Sequence, residues 1–146
     1  MKLNLGAGST LRLGFMNIDI RPLPGVDIVR DVLRGIPFSN ESVDEVYSEN
    51  FLEHIPQTEC IWIMNEIHRV LCPGGTARHL VPLAGSTNFF QDPTHLSHWV
   101  PETLTYFQLD HRRNLYYGGD IRPWMLESYE LLEPNKVMDF TLRKPH

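Results

Sequence analysis

The segment QDPTHLSHW carries the side chains of this sequence that are best suited to proton transfer. The imidazole of His95 is of a type that can act as a general base, and Asp92 can orient it or contact a substrate. A metal is the other chemistry to weigh, because His95, His98 and a carboxylate are zinc-ligand types. No further ligand follows at a recognisable interval, and His54 and His79 could join only through folding, so we expect no metal. The structural alternative is an Asp-Pro turn with loop-fixing histidines.

A glycine-rich turn follows the first predicted strand. Lys2–Leu5 is short and apolar, and Gly6 and Gly8 come directly after it. Without side chains, these positions permit positive φ angles and let a ligand approach the main chain closely. The next acidic residue, Asp19, lies 11 positions after Gly8 (19 − 8), in a second predicted strand, Asn17–Ile20. A carboxylate there can accept hydrogen bonds from the vicinal hydroxyls of a ribose. The structural alternatives are a tight turn without a ligand and a solvated strand end.

The first half of the chain predicts short strands that alternate with one clear helix. Apolar residues recur at helical spacing over Gln57–Leu71, and Pro73-Gly74-Gly75 is expected to end that helix. Further strands are predicted at Asp27–Val29, Val43–Ser48 and Thr76–Val81. This alternation predicts an α/β fold built on a parallel sheet.

The last third of the chain follows a different pattern. Gly85–Val100 is predicted to be a long polar loop, and a helix is predicted from Pro101 through Leu109. Leu126–Leu132 and Val137–Leu142 flank a Pro-Asn turn, which predicts an antiparallel hairpin at one sheet edge. Aromatic residues of this region are consistent with a substrate pocket, but core packing is the favoured interpretation for most of them. They are Trp99, Tyr106, Phe107, Tyr116, Tyr117 and Trp124.

Length and composition set the broad class. The 146 residues, 42% hydrophobic and 21% charged, predict one soluble globular domain over residues 1–146. A net charge of −5 gives no sign of a nucleic-acid binder, and no apolar run is long enough to span a bilayer. The first strand begins at Lys2, so no signal peptide is expected. Cys60 and Cys72 have neither metal nor disulfide spacing, so we expect a cytoplasmic protein with reduced cysteines.

Four segments, in order along the chain, resemble the class I, Rossmann-like S-adenosylmethionine (SAM)-dependent methyltransferases. They are LNLGAGS (Leu3–Ser9), NIDI (Asn17–Ile20), the stretch Ile28–Ile55 that ends in LEHI, and EIHRVLCPGGTARHLVP (Glu66–Pro82). A Gly-x-Gly pair alone is weak evidence, but Arg-Val-Leu-x-Pro-Gly-Gly at this distance after Leu-Glu-His is quite specific to the family. The chain is most similar to the small bacterial and phage branch that lacks a full first helix, and DPTH (Asp92–His95) also resembles a loop of that branch.

The resemblance implies an enzyme with a Rossmann-like, mostly parallel sheet, helices on both faces and an antiparallel C-terminal hairpin. It implies that the turn from Gly6 to Gly8 lies under the methionine part of SAM and that Asp19 binds the ribose. It also implies that Asp31 accepts a hydrogen bond from the adenine amino group, although a turn cap is the structural alternative. The residues expected to bind SAM, or its product S-adenosylhomocysteine (SAH), are Leu5, Gly6, Ala7, Gly8, Asp19, Ile20, Asp31, Val32, Glu49 and Asn50.

Methyl transfer from a sulfonium is an in-line displacement, for which a protein mainly aligns the nucleophile and the methyl group. If the acceptor is a hydroxyl, a base assists. We expect His95 to be that base and Asp92 to orient it or to contact the acceptor, a small polar molecule such as a sugar or a nucleotide-linked metabolite. The pair Glu53-His54 is typical of the family and is expected to be mainly structural.

One departure from the family concerns the segment Thr10–Phe15, which is too short for the usual helix after the first strand. A helix N-terminus normally helps to bind a carboxylate, so we expect an open SAM site. A second subunit that completes this site would make the protein a homodimer. Two other functions stay open: a non-catalytic SAM- or SAH-binding interaction module, and a Rossmann dehydrogenase. The short interval from Gly8 to Asp19, against about 20 residues in a dinucleotide fingerprint, argues against the dehydrogenase.

Overall fold

A computed structural model describes residues 1–109, 120–134 and 136–146 of the chain. Within these ranges, strands alternate with short helices and 3-10 turns. The strands are β1 (Lys2–Leu5), β2 (Met16–Asp19), β3 (Ile28–Val29), β4 (Val43–Glu49), β5 (Leu71–Pro82), β6 (Met125–Leu132) and β7 (Val137–Arg143). The α-helices are α1 (Cys60–Val70), α2 (Thr87–Phe90) and α3 (Pro101–Thr105), and the 3-10 turns are Val32–Arg34, Leu52–His54 and Gln57–Glu59.

The described strands form one mixed sheet in the order β3-β2-β1-β4-β5-β7-β6. The first five strands in that order are parallel, and β7 pairs antiparallel with both β5 and β6. The chain runs outward from β1 to β3 and then returns to place β4 on the other side of β1, which makes a switch point between β1 and β4. Ligands of open α/β sheets bind at the carboxyl ends of strands beside such a switch point. The predicted parallel sheet and C-terminal hairpin are confirmed; residue 135 of the hairpin turn lies outside the described residues.

The core lies between the sheet and the apolar face of α1. Ile63, Met64, Ile67 and Val70 of this helix are fully buried, as the helical spacing predicts. Of the aromatic residues in the last third, Trp99, Phe107 and Trp124 are buried in the same core. Core packing is therefore confirmed for these three, whereas Tyr116 and Tyr117 lie outside the described residues.

The end of α1 differs from the prediction. The helix stops at Val70, and β5 begins at Leu71, so the Pro-Gly-Gly sequence lies inside a strand and does not end the helix. The pairing of β4 with β5 is irregular here: Val43 faces Leu71, but Glu45 already faces Thr76. The extra residues are accommodated by a bulge in β5, in which Gly74 has a φ angle of +78°. The predicted helix after Pro101 is also shorter than expected, because α3 ends at Thr105.

The loop between β1 and β2 contains turns and no helix, as its length predicts. Two buried amides hold this loop in place. The Nδ2 group of Asn4 donates to Thr10 O and to Asn17 Oδ1, both at 2.9 Å, and Asn17 Oδ1 also accepts from Arg12 N–H at 2.9 Å. Side-chain hydrogen bonds thus fix a segment that a helix would otherwise order. No described helix has the length and apolar character that a membrane crossing requires.

Candidate functional site

Two adjoining cavities open where the parallel strands end. The first has a volume of about 470 Å³, and the second has a volume of about 460 Å³. Asn50 and His54, which follow β4, line both of them. Of the predicted site residues, the first cavity brings together Gly6, Asp19, Ile20, Asp31, Val32 and Asn50, and the second brings together Glu49, Asn50, Asp92 and His95.

The other predicted residues occupy positions beside these cavities. Leu5 and Ala7 are buried, and the Gly8 N–H donates to Asp19, which lines the first cavity. Ser48, which precedes the predicted loop, is fully buried, and its hydroxyl lies 2.7 Å from His79 Nδ1. His98 lines a separate depression beside Trp99 and is exposed. Folding has therefore joined His95 to His54 and not to His98.

Gly6 forms the wall of the first cavity where β1 ends. Its φ angle is +63°, in the left-handed region that favours glycine. A Cβ atom at this position would lie 2.4 Å from Cδ2 of Phe51, so the ring of Phe51 packs directly on the glycine. A glycine is therefore required here both by the backbone conformation and by the packing.

Asp19 lies at the end of β2 with 5% of its surface exposed. Its Oδ2 accepts the Gly8 N–H at 2.8 Å, and its Oδ1 accepts the N–H and the Nε of Arg21 at 2.9 and 3.1 Å. Burial alone raises the pKa of this carboxyl, but the hydrogen bonds from Arg21 and Gly8 together lower it. Asp19 is therefore an ionised carboxylate on the cavity wall, and Oδ2 retains an acceptor site.

Asp31 combines the two roles that the sequence leaves open. Its Oδ1 accepts the Leu33 N–H at 3.0 Å and so caps the 3-10 turn, while Oδ2 lies 3.6 Å from Arg34 Nε. The same side chain lines the first cavity next to Val32. Capping and a role in binding are compatible, because a carboxylate offers about four acceptor sites.

The first cavity fits a nucleoside-containing ligand such as SAM. Its volume is in the range of small-molecule sites, and apolar side chains of Ile18, Val32, Phe51 and Ile55 form much of its wall. The buried Asp19 carboxylate offers an acceptor to hydroxyl groups, and Gly6 borders the cavity. These residues would hold SAM through its ribose, its adenine and its methionine part.

The second cavity contains a buried acid that the sequence interpretation treated as structural. Glu53 is 1% exposed, and neither of its carboxylate oxygens has a hydrogen-bond partner among the described residues. Its backbone carbonyl accepts from the N–H groups of Leu96 and Ser97, which fixes the turn against the following loop. Burial raises the pKa of Glu53 to about 7, and the charge of Asp92 adds to this effect. In the sequence, the Leu-Glu-His motif marked this segment as typical of the family, but the motif alone does not show which of its side chains face a cavity.

The imidazoles of His54 and His95 face each other beside Glu53, with ring centroids 5.1 Å apart. His95 Nδ1 lies 2.7 Å from Phe89 O, and His95 Nε2 lies 3.5 Å from Asp92 Oδ2. Asp92 Oδ1 accepts from the N–H and the hydroxyl of Thr94 at 2.8 and 2.7 Å, and these hydrogen bonds lower the pKa of Asp92. The predicted pair of His95 and Asp92 thus lies together in one cavity.

Comparison with known proteins places this geometry in a known class. Residues 13–78 match the sequence profile of a family described as "Methyltransferase domain". No sequence among the curated proteins matches the chain. Among solved structures, similarity extends over nearly the whole chain at low sequence identity.

Three solved structures illustrate this similarity. A complex between the Haloferax volcanii Trm112 methyltransferase activator and a methyltransferase aligns with a TM-score of 0.72 at 14% identity, over 99% of this chain and 82% of that chain. A SAM-dependent methyltransferase from Archaeoglobus fulgidus aligns with a TM-score of 0.67 at 16% identity, over 98% of this chain and 85% of that chain. The Burkholderia thailandensis 1,6-didemethyltoxoflavin-N1-methyltransferase has 1,6-didemethyltoxoflavin and SAH bound. It aligns with a TM-score of 0.69 at 14% identity, over 99% of this chain and 71% of that chain.

The strand order, the cavity at the switch point and these alignments define a class I, Rossmann-like fold of the SAM-dependent methyltransferases. The match over residues 13–78 covers 66 of the 146 residues (78 − 13 + 1), and together with these alignments it supports an enzyme that transfers methyl groups from SAM. The predicted fold is confirmed, and the match and the alignments support the predicted family, enzyme class and cofactor. The bacterial and phage branch and the cytoplasmic location stay predictions.

Proposed function

We propose that the protein is a methyltransferase that binds SAM in the first cavity and transfers its methyl group to a small polar molecule bound in the second. The observation that carries the proposal is the shared wall: Asn50 and His54 line both cavities, so a donor in one lies next to an acceptor in the other. Polar side chains of the second cavity, including Asn88 and Gln91, favour an acceptor rich in hydroxyl or amino groups.

Different residues of the first cavity are proposed to contact different parts of SAM. The backbone from Leu5 through Gly8 borders the methionine part, and Asp19 and Ile20 lie beside the ribose. Asp31 and Val32 border the adenine, and Glu49 and Asn50 lie on the side of the sulfonium. When bound, SAM supplies an activated methyl group with a good leaving group, so alignment is the main task of the protein.

His95 and Asp92 are the proposed acid-base pair for a hydroxyl acceptor. Because a carbonyl oxygen only accepts, the contact with Phe89 O assigns a proton to His95 Nδ1 and leaves Nε2 as the basic nitrogen. Nε2 is then positioned to take the proton of the acceptor, and the charge of Asp92, 3.5 Å away, stabilises the imidazolium that forms.

A non-catalytic module that only binds SAM or SAH is the alternative. One of the similar structures is a complex of a methyltransferase with an activator protein, so a protein partner is a second candidate. The proximity of His95 and Asp92 in one cavity favours a catalytic protein over a module that only binds SAM or SAH. A homodimer, in which a second copy completes the open side of the first cavity, remains part of the proposal for the quaternary structure.

Calorimetry and a turnover assay test the proposal. We expect SAM and SAH to bind at one site per chain and SAH to be released when small sugars, nucleotides or amines are offered with SAM. His95→Gln is expected to lower turnover on a hydroxyl acceptor by about 100-fold or more, while SAH affinity is kept and the control His98→Gln behaves as wild type. Failure to bind SAH would refute the proposal; binding of SAH without turnover on any acceptor would support the alternative.

A further inference from the structure

Three potential metal ligands converge at the wall of the second cavity. One ligand atom each of Glu53, His54 and His95 lies within 4.8 Å of the other two. His54 and Glu53 belong to the 3-10 turn after β4, while His95 belongs to the loop after α2. The cluster therefore arises only in the fold, because 41 positions separate His54 from His95 (95 − 54).

Both imidazoles have the tautomer that leaves Nε2 free to bind a ligand. His54 Nδ1 lies 3.2 Å from Thr94 O, and His95 Nδ1 lies 2.7 Å from Phe89 O. The hydroxyl of Thr94 also lies 3.3 Å from His54 Nδ1, but it donates to Asp92 Oδ1 at 2.7 Å. Since a carbonyl oxygen has no proton to donate, the proton of each contact belongs to Nδ1. A hydrogen bond from the second nitrogen to a backbone carbonyl is also the usual way in which proteins orient metal-binding histidines.

Glu53 provides the second, independent observation. Its carboxylate is almost completely buried and faces the cluster, and both oxygens lack a hydrogen-bond donor among the described residues. One ligand atom each of Glu53, His54 and His95 therefore meets the others in one place, and the carboxylate of Asp92 lies 3.5 Å from His95 Nε2, so hydrogen-bond acceptors are in excess there. A buried group of this kind is costly without a compensating cation or proton.

We propose that Glu53, His54 and His95 bind a divalent transition-metal ion, for which zinc is the most suitable, at the wall of the acceptor cavity. This proposal departs from the sequence-based expectation of no metal, because folding supplies the ligand that spacing alone does not. Two imidazoles and one carboxylate match the donor set of zinc sites that keep an open position. Zinc requires about 2.0–2.2 Å to each ligand, so each ligand atom must move inward by less than about 1 Å from a 4.8 Å triangle.

The ion would change how the acceptor is activated, a consequence that rests on the proposed function. An acceptor hydroxyl bound at the open position loses its proton to solvent more readily, because the cation stabilises the oxygen anion. His95 is then a ligand and does not itself take the proton. The binding of the ion, in contrast, requires no methyl transfer and can be tested without it.

Metal analysis and calorimetry on the whole chain test the site. Protein stripped with a chelator is titrated with Zn²⁺, and the metal retained after dialysis is counted. We expect one Zn²⁺ per chain, a rise in melting temperature on adding Zn²⁺, and an affinity at least tenfold lower in both Glu53→Gln and His95→Gln. The matched controls Glu130→Gln and His98→Gln change exposed side chains outside the cluster and are expected to bind Zn²⁺ as wild type does.

The outcomes separate this inference from the proposed function. Glu53→Gln is expected to fold, because it replaces a buried acid by a neutral group of the same shape, and its melting temperature without metal checks this. SAH affinity, measured on the same samples, reports on the first cavity alone. Stoichiometric zinc lost in both cluster variants supports the site whether or not turnover is found. Retention of less than half an equivalent, or wild-type zinc affinity in either variant, overturns the metal site; a proton on Glu53 would then satisfy the cluster.

Discussion

Replacing Asp19 by asparagine tests the cofactor site most directly. The substitution keeps the size of the side chain and removes one charge. In the structure, Oδ1 is fully used by Arg21, while Oδ2 accepts the Gly8 N–H and retains one acceptor site on the cavity wall. In the variant, an amide group replaces one of the two oxygens, so the ribose loses a charged acceptor or Gly8 loses its partner.

The size of the effect follows from this count of hydrogen bonds. A hydrogen bond to a charged group contributes about 1.5–3 kcal/mol, against about 1 kcal/mol for a neutral one. Losing the charged acceptor that faces the ribose therefore weakens SAH binding by roughly 10- to 150-fold. The pKa of Asp19 is already lowered in the free protein, so the carboxylate is ionised across neutral pH and the loss is expected to change little with pH there.

Isothermal titration calorimetry with SAH measures this effect, and thermal unfolding checks that the variant is folded. Asp27→Asn is the matched control, because Asp27 Oδ2 also accepts a backbone N–H, that of Asn17 at 2.7 Å, but lies outside the first cavity. We expect the control to lose stability and to keep SAH affinity. A folded Asp19→Asn variant whose affinity falls by less than about threefold would refute the ribose role.

Two further predictions concern stability. Gly6→Ala should cost about 1–3 kcal/mol more in urea unfolding than the control Gly14→Ala, because both glycines have positive φ but only Gly6 is covered, by Phe51; equal losses would contradict the packing argument. Burial lowers the pKa of His79 to about 3, so the unfolded chain binds a proton below about pH 6.5 that the folded chain excludes. When the pH falls from about 7.5 to about 5, the free energy of unfolding of the wild type should therefore decrease by about 2 kcal/mol more than that of His79→Asn. An equal decrease in both proteins would show that His79 can be protonated in the folded chain.

The strands and the long helix could be predicted from the sequence because their apolar periodicity is local. β1 is predicted without error, and the buried face of α1 follows from the spacing of Ile63 and Ile67. The extent of β5 was predicted incorrectly for a non-local reason. Pro73-Gly74-Gly75 is a strong breaker on its own, but pairing with β4 and a bond from Gly74 N–H to Lys144 O keep it in the sheet.

The residues of the candidate site also differ in whether local sequence or tertiary packing determines their positions. The positions of Asp19 and Asp31 could be predicted because each lies at or just after the end of a strand, and the carboxyl ends of parallel strands meet at one edge. Glu53 could not, since its role depends on burial and on the loop that carries His95. Spacing in the sequence also pairs His95 with His98, whereas the fold pairs it with His54. Functional clusters that combine loops from distant positions are set by tertiary packing, which a single sequence does not display.

The short segment after β4 links the two halves of the proposed reaction. Asn50 has a φ angle of +50°, a conformation that asparagine tolerates better than most residues, and its N–H donates to Leu80 O at 3.0 Å. This bend ends β4 and starts the turn that carries His54, so that Asn50 at the bend and His54 after it both face the two cavities. Backbone strain of this kind persists only where the surrounding structure imposes it. Under the proposed function, the bend after β4 is therefore the feature that brings the SAM cavity and the acceptor cavity together.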